Sequence, residues 1–133
     1  MAHDTNNRLS ELYHCLRADR RRQVIKHLEQ TTEDAVSVRS LARSIAANEE
    51  GVPTANATGE PYRNAYNALS QTHLRTLAAA DIIIYDPKRQ TTKRGSSFEI
   101  AALLIDIDTP TVELFSKSDG TDQSQESEEP DND

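Results

Sequence analysis

A chain of 133 residues has room for one domain. Its 15 Lys and Arg against 22 Asp and Glu give a formal charge of −7, but residues 117–133 set Lys117 against seven acids, leaving 14 bases and 15 acids for the rest. Net acidity argues against a nucleic-acid partner, and the near-neutral body removes that argument. No apolar run approaches the ~20 residues of a membrane span, residues 1–8 lack the apolar stretch of a signal peptide, and one cysteine excludes an internal disulfide or a cysteine zinc cluster. A cytoplasmic protein that touches no membrane is expected. Eleven of the 15 bases are Arg, which fits adaptation to a salty cytoplasm and equally an ordinary acidic protein with an acidic tail.

Residues 1–8 read as a flexible N-terminus. Leu9, Leu12, Tyr13 and Leu16 fall at i, i+3, i+4 and i+7, the stripe of a helix. Asp19 is placed to cap a second helix that buries Val24, Ile25 and Leu28. Arg20, Arg21 and Arg22 lie in its first turn, where positive charge opposes the helix dipole. One of them is expected to pair with an acid such as Glu11 at the core boundary, and another to be available to phosphate. Residues 35–37 fit a short strand, and Ser37 caps a third helix in which Val38, Leu41, Ala42 and Ile45 repeat the spacing as far as Asn48.

The run EEGVPTANATGEP at 49–61 is a loop. A longer helix starts near Pro61, with Tyr62, Tyr66, Leu69, His73 and Leu77 down one side, and stops at Asp81, a residue type that tolerates left-handed backbone. The β-branched run 82–86 before Pro87 predicts a strand, and residues 91–94 predict its return partner, ending at Gly95. Ser96 and Glu99 have capping-box spacing. Phe98, Ala101, Ala102, Leu104 and Ile105 fit a short helix, while 104–108 alternate as a strand would. Val112, Leu114 and Phe115 are expected to pack back on the domain. Residues 117–133 have no apolar period and read as a disordered acidic tail.

The order helix, helix, short strand, helix, loop, long helix, strand, basic turn, strand predicts a mainly α fold with a small β-hairpin (α+β), that of a winged helix-turn-helix. Three segments carry a resemblance: LSELYHCLRADRRRQVIKHL at 9–28, VSVRSLARSIA at 36–46 and YRNAYNALSQTHLRTLAAADIIIYD at 62–86. Over residues 9–95 the chain resembles the haloarchaeal winged-helix domain family of unknown function, and the resemblance implies DNA binding. Residues 96–116 would then be a C-terminal extension. Its apolar side chains at 98–107, or the first helix at 8–16, would supply a homodimer contact. The chain departs from the pattern in the 13-residue loop at 49–61 and in Asp81, where glycine is common in such domains.

Off the apolar stripe of the long helix lie Arg63, Asn64, Asn67, Ser70, Gln71 and Arg75, in a stretch, 62–80, that contains no acid. Asn and Gln suit bidentate reading of adenine, and Arg of guanine, in the major groove. Arg63, Asn64, Asn67, Ser70 and Gln71 are the candidate base readers. Arg75, Lys88, Arg89, Lys93 and Arg94 are the candidate backbone contacts, the last four on the hairpin. The competing readings are a solvated helix face and edge-blunting bases on a hairpin. A DNA surface should gather Arg63, Arg75, Lys88, Arg89, Lys93 and Arg94 on one face. His14, Cys15, His27 and His73 form no ligand-spacing motif, and His73 is expected as a core histidine with a satisfied hydrogen bond. No phosphate loop, nucleophile elbow or carboxylate pair is visible, so neither an enzyme nor a cofactor is expected. The expected function is sequence-specific binding of double-stranded DNA by a transcriptional regulator. A protein-binding module of the same fold is the alternative.

Overall fold

The computed structural model describes residues 2–107, with side chains from residue 7 onward. The expected packing of Val112, Leu114 and Phe115 and the tail at 117–133 lie outside the described residues. The elements are α1 (Ala2–Cys15), α2 (Asp19–Gln30), β1 (Val36–Ser37), α3 (Val38–Glu50), α4 (Gly59–Ala68), a π-helical turn (Leu69–His73), α5 (Leu74–Ala79), β2 (Ile83–Asp86) and β3 (Thr91–Arg94). A further helix, α6, covers 98–107. The fold is mainly helical with one three-stranded antiparallel sheet in the order β1-β3-β2, the α+β class expected. Met1–Ala102 make up one compact unit, and residues 103–133 are grouped apart from it.

Helix α1 begins at Ala2, so most of the segment expected to be flexible is helical. Ala18, not Asp19, occupies the cap of α2. Asp19 stands one place later, where its carboxylate favours the helix dipole and accepts hydrogen bonds from Gln23 (2.7 Å) and Arg22 (3.4 Å). Ser37 does cap α3, its Oγ accepting from the Ser40 amide at 3.0 Å. Gly51, at φ 70°, closes α3 with its amide on the Ala47 carbonyl. Helix α4 starts at Gly59, which puts Pro61 in its first turn, where the missing N–H has no intrahelical partner to lose.

The core joins Val24, Ile25 and Leu28 of α2 to Val38, Leu41, Ala42 and Ile45 of α3, and to Ala65, Leu69, Leu74 and Leu77 of the long helix. Those last four fall 4, 5 and 3 residues apart, a sum no uniform α-helix can keep on one face. The π turn absorbs the surplus: the Leu74 amide bonds the Leu69 carbonyl, five residues back. Leu74 therefore takes the core position that a regular helix would give to His73. His73 is only half-buried, and its Nδ1, shielded from water, has no hydrogen-bond partner. The expectation of a satisfied core histidine is thus corrected, because the π turn displaces it.

Strand register pairs Ile83 with Arg94, Ile84 with Lys93, and Tyr85 with Thr92, while Val36 of β1 pairs with Thr92 from the other side. Paired residues share a face, so Ile83, Tyr85, Thr92 and Arg94 point inward and Ile84 and Lys93 outward. Thr92 is fully buried and its hydroxyl donates to the Val36 carbonyl at 3.0 Å. The long helix stops on Asp81 at φ 62°. Gly95 passes so close that a Cβ there would lie 2.9 Å from the Ile82 carbonyl carbon, and the Gly95 amide bonds Ile82 O at 2.8 Å. Ser97, rather than Ser96, precedes α6: its carbonyl accepts from Ala101 and its buried hydroxyl accepts from Arg8 of α1. Between the helix and strand readings of 104–108, the helix prevails as far as residue 107.

Candidate nucleic-acid interface

Two turns of α4 present a polar face. Arg63, Asn64 and Asn67 are exposed there, as is Gln71 in the π turn, and none has a side-chain hydrogen bond or ion pair among the described residues. Arg63 and Asn67 line a shallow cavity of about 260 Å³ with Tyr62, Tyr66 and, from the first turn of α3, Arg39. The Tyr62 and Tyr66 rings tilt against each other with centroids 6.0 Å apart, and the Arg43 guanidinium sits over Tyr62 at 6.0 Å. Sequence reasoning missed Arg39 and the aromatic pair. Arg39 carried the same signal as the Arg20–22 run, a base in the first turn of a helix against the dipole.

Gln90 ties this helix to the β2–β3 hairpin. It sits in left-handed backbone at φ 54° in the hairpin turn. Its Oε1 accepts from Tyr66 Oη (2.8 Å) and Ser70 Oγ (3.2 Å), and its Nε2 donates to Tyr85 Oη (3.0 Å) and the Pro87 carbonyl (2.8 Å). Ser70 is therefore turned toward the hairpin and away from the open face. Arg75 folds back along its own helix, Nε donating to the Ser70 carbonyl at 3.1 Å with the guanidinium 6.0 Å over the Tyr85 ring.

The hairpin bases divide into three environments. Lys88 and Arg89 are exposed at the tip, where Asp86 Oδ1 accepts both their amides (3.1 and 3.2 Å) and shapes the turn. Lys93 faces outward, beside Ile84, which is 58% exposed. It borders a cavity lined also by Glu33 and Asp34. Arg94, on the inner face, closes the C-terminal end of α2: its Nε and Nη2 donate to Leu28 O (3.1 and 2.7 Å), Nη2 also reaches Glu29 O (3.1 Å), and the guanidinium lies 4.9 Å over the Phe98 ring. The six bases expected on one face are accordingly split. Arg94 is committed to orphan helix carbonyls, because register puts it on the core side.

The Arg20–22 run is structural throughout. Arg20 makes a bidentate pair with Glu49 of α3 at 2.9 Å, which holds its guanidinium more firmly charged. Arg22 donates to the Leu16 and Arg17 carbonyls at the end of α1 (2.6 and 2.9 Å). Arg21 is buried, and Glu11 forms no ion pair with any of the three among the described residues. Burial pushes the Cys15 thiol up and holds His27 and His73 below the usual imidazole value, with Arg21 and Arg20 adding to the effect at His73. Among the described residues no three of His, Cys, Asp and Glu gather as metal ligands, and no helix is long and apolar enough to cross a membrane.

No curated protein and no solved structure matches the chain. A family model described as a domain of unknown function, DUF7344, matches residues 13–93. That span runs from the last turn of α1 to the third residue of β3, and so takes in α2, α3, the long helix and most of the hairpin that carries the basic tip. The chain belongs to the DUF7344 family.

Proposed function

We propose that the chain is a sequence-specific double-stranded DNA-binding protein, a transcriptional regulator that acts by binding alone, with winged helix-turn-helix geometry. In this reading α4 enters the major groove, where Arg63, Asn64, Asn67 and Gln71 read base edges, and the hairpin tip lays Lys88 and Arg89 on the backbone. Arg39 stands beside Arg63 to meet a flanking phosphate. Ser70 and Arg75 position the hairpin, Arg94 supports α2, and Lys93 is left as a peripheral contact. The observation that carries the reading is the unpaired amide and guanidinium face of α4 in an acidic protein, with a basic hairpin tip pinned to the same helix by Gln90. Exposed Leu9 and Tyr13 of α1 and Ile100 of α6 favour a homodimer, which would place two half-sites about 34–36 Å apart.

Selection from random duplexes with the whole chain tests this. One sequence family should be enriched. Arg63→Ala and Asn67→Ala should each cost ~1–3 kcal/mol of affinity and relax the preference at one base position. No enriched sequence, or enrichment unaltered by both substitutions, refutes it.

A further inference from the structure

Arg21 is a buried cation without a counter-ion. It is 9% exposed and forms no ion pair among the described residues. Its Nη2 donates to the His14 carbonyl at 3.4 Å, and its Nε is buried with no partner. A guanidinium taken out of water in this way is costly unless its charge and its N–H groups are met. Helix α2 packs against the π turn of the long helix, and from that side His73 brings a second buried, unpartnered nitrogen, Nδ1. The other groups at this junction do not complete either one. Cys15 of α1 directs its Sγ to the Thr76 carbonyl at 3.8 Å, Arg20 is engaged by Glu49 of α3, and Glu11 of α1, which acts on Cys15, is exposed.

We propose that the junction of α2 with the π turn binds a small inorganic anion of the size of chloride, which accepts hydrogen bonds from Arg21 Nε and His73 Nδ1 and supplies the missing counter-charge. Arg21 Nε–H is a permanent donor, and imidazole offers Nδ1–H in one neutral tautomer or when protonated. Burial and the two guanidiniums hold His73 below its ordinary value. An anion between Arg21 and His73 offsets the repulsion by Arg21, so anion binding and proton uptake at His73 reinforce each other. The ligand would join α2 to the turn that sets the phase of the long helix. Nothing in this inference depends on whether the chain binds DNA.

The test is a nuclear magnetic resonance titration of the full chain with sodium chloride against sodium gluconate, at fixed sodium concentration and pH. The Arg21 Nε and His73 imidazole signals should shift saturably in chloride alone, and the His73 midpoint should rise with chloride. In His73→Leu the Arg21 shift should saturate only at severalfold higher chloride. Arg20→Met, which leaves both donors in place, should keep the saturation. Shifts that are linear in salt, or the same in both salts, overturn the proposal. So does a long-lived water showing cross-peaks to both nitrogens whatever the chloride concentration.

Discussion

Replacing Gln90 separates two contributions that act at one residue. Its amide makes four hydrogen bonds, two to the long helix and two within the hairpin. Each bond contributes ~0.5–1.5 kcal/mol net, and in a part-exposed site water recovers some of that, so Gln90→Ala should cost about 2 kcal/mol. The backbone at φ 54° adds a second term. Left-handed conformation costs a residue with a Cβ ~1 kcal/mol and glycine nothing. Gln90→Gly should therefore be about 1 kcal/mol more stable than Gln90→Ala, although it has even less side chain. At roughly 4–8 °C per kcal/mol for a domain of this size, the alanine variant should melt about 8–16 °C below the parent. Thermal and urea unfolding followed by circular dichroism read both differences. An alanine variant within ~0.5 kcal/mol of the parent would show that the amide network is not stabilising. An alanine variant more stable than the glycine variant would refute the backbone argument.

The remaining predictions concern charge. Arg94→Met should lower stability by ~1.5–3 kcal/mol, because it uncaps the charge-bonded carbonyls of α2, yet leave the salt dependence of DNA binding unchanged once folding is corrected for. The pair Lys88→Ala and Arg89→Ala should do the reverse, keeping stability within ~0.5 kcal/mol and lowering the log–log salt slope by about 0.9 for each phosphate no longer neutralised. Equal slope changes in the two experiments would reject the division of the hairpin bases. His27 and His73 both have folded-state values depressed by burial, so the unfolded chain takes up their protons first. Their contribution to stability is present above the unfolded value of about 6.5 and is lost as pH falls through the folded values. Urea midpoints should drop on acidification through that range, and less steeply in His73→Leu. An identical slope in that variant would show that His73 is not a source of the dependence.

Much of the architecture was legible because local signals agreed with the fold. Ser37 caps α3 where its hydroxyl predicts, and Asp81 ends the long helix in the left-handed state. The strand pair around Pro87 also forms as its β-branched run implies. The π turn was not legible as such. His73 falls four residues after Leu69 and Leu74 five, so a plain helical stripe through His73 looked complete, and only burial shows that Leu74 holds the core slot. Arg94 was misgrouped with the tip for another reason. Its partners, the carbonyls of Leu28 and Glu29, lie more than 60 residues away, and nothing near Arg94 in sequence announces them. The Arg20–22 run marked a helix start under electrostatic tension, but its relief comes from the end of α1 and from Glu49. Of the candidate base readers, Ser70 alone turns inward, because Gln90 reaches it across the hairpin turn.

The five-residue gap between Leu69 and Leu74 reverses an ordinary rule about indels. Deleting one residue from an α-helix rotates everything beyond it by about 100° and turns the buried stripe toward water. Within Leu69–His73 the same deletion would bring Leu69 and Leu74 four residues apart, and the core would remain in phase along a continuous α-helix. The surplus residue is thus removable without loss of the interior. Such a deletion would instead rotate the side chains of the missing turn, Ser70, Gln71 and His73, relative to the rest of the surface. The length of the long helix is set by what lies outside the core, and its interior would fit a chain one residue shorter.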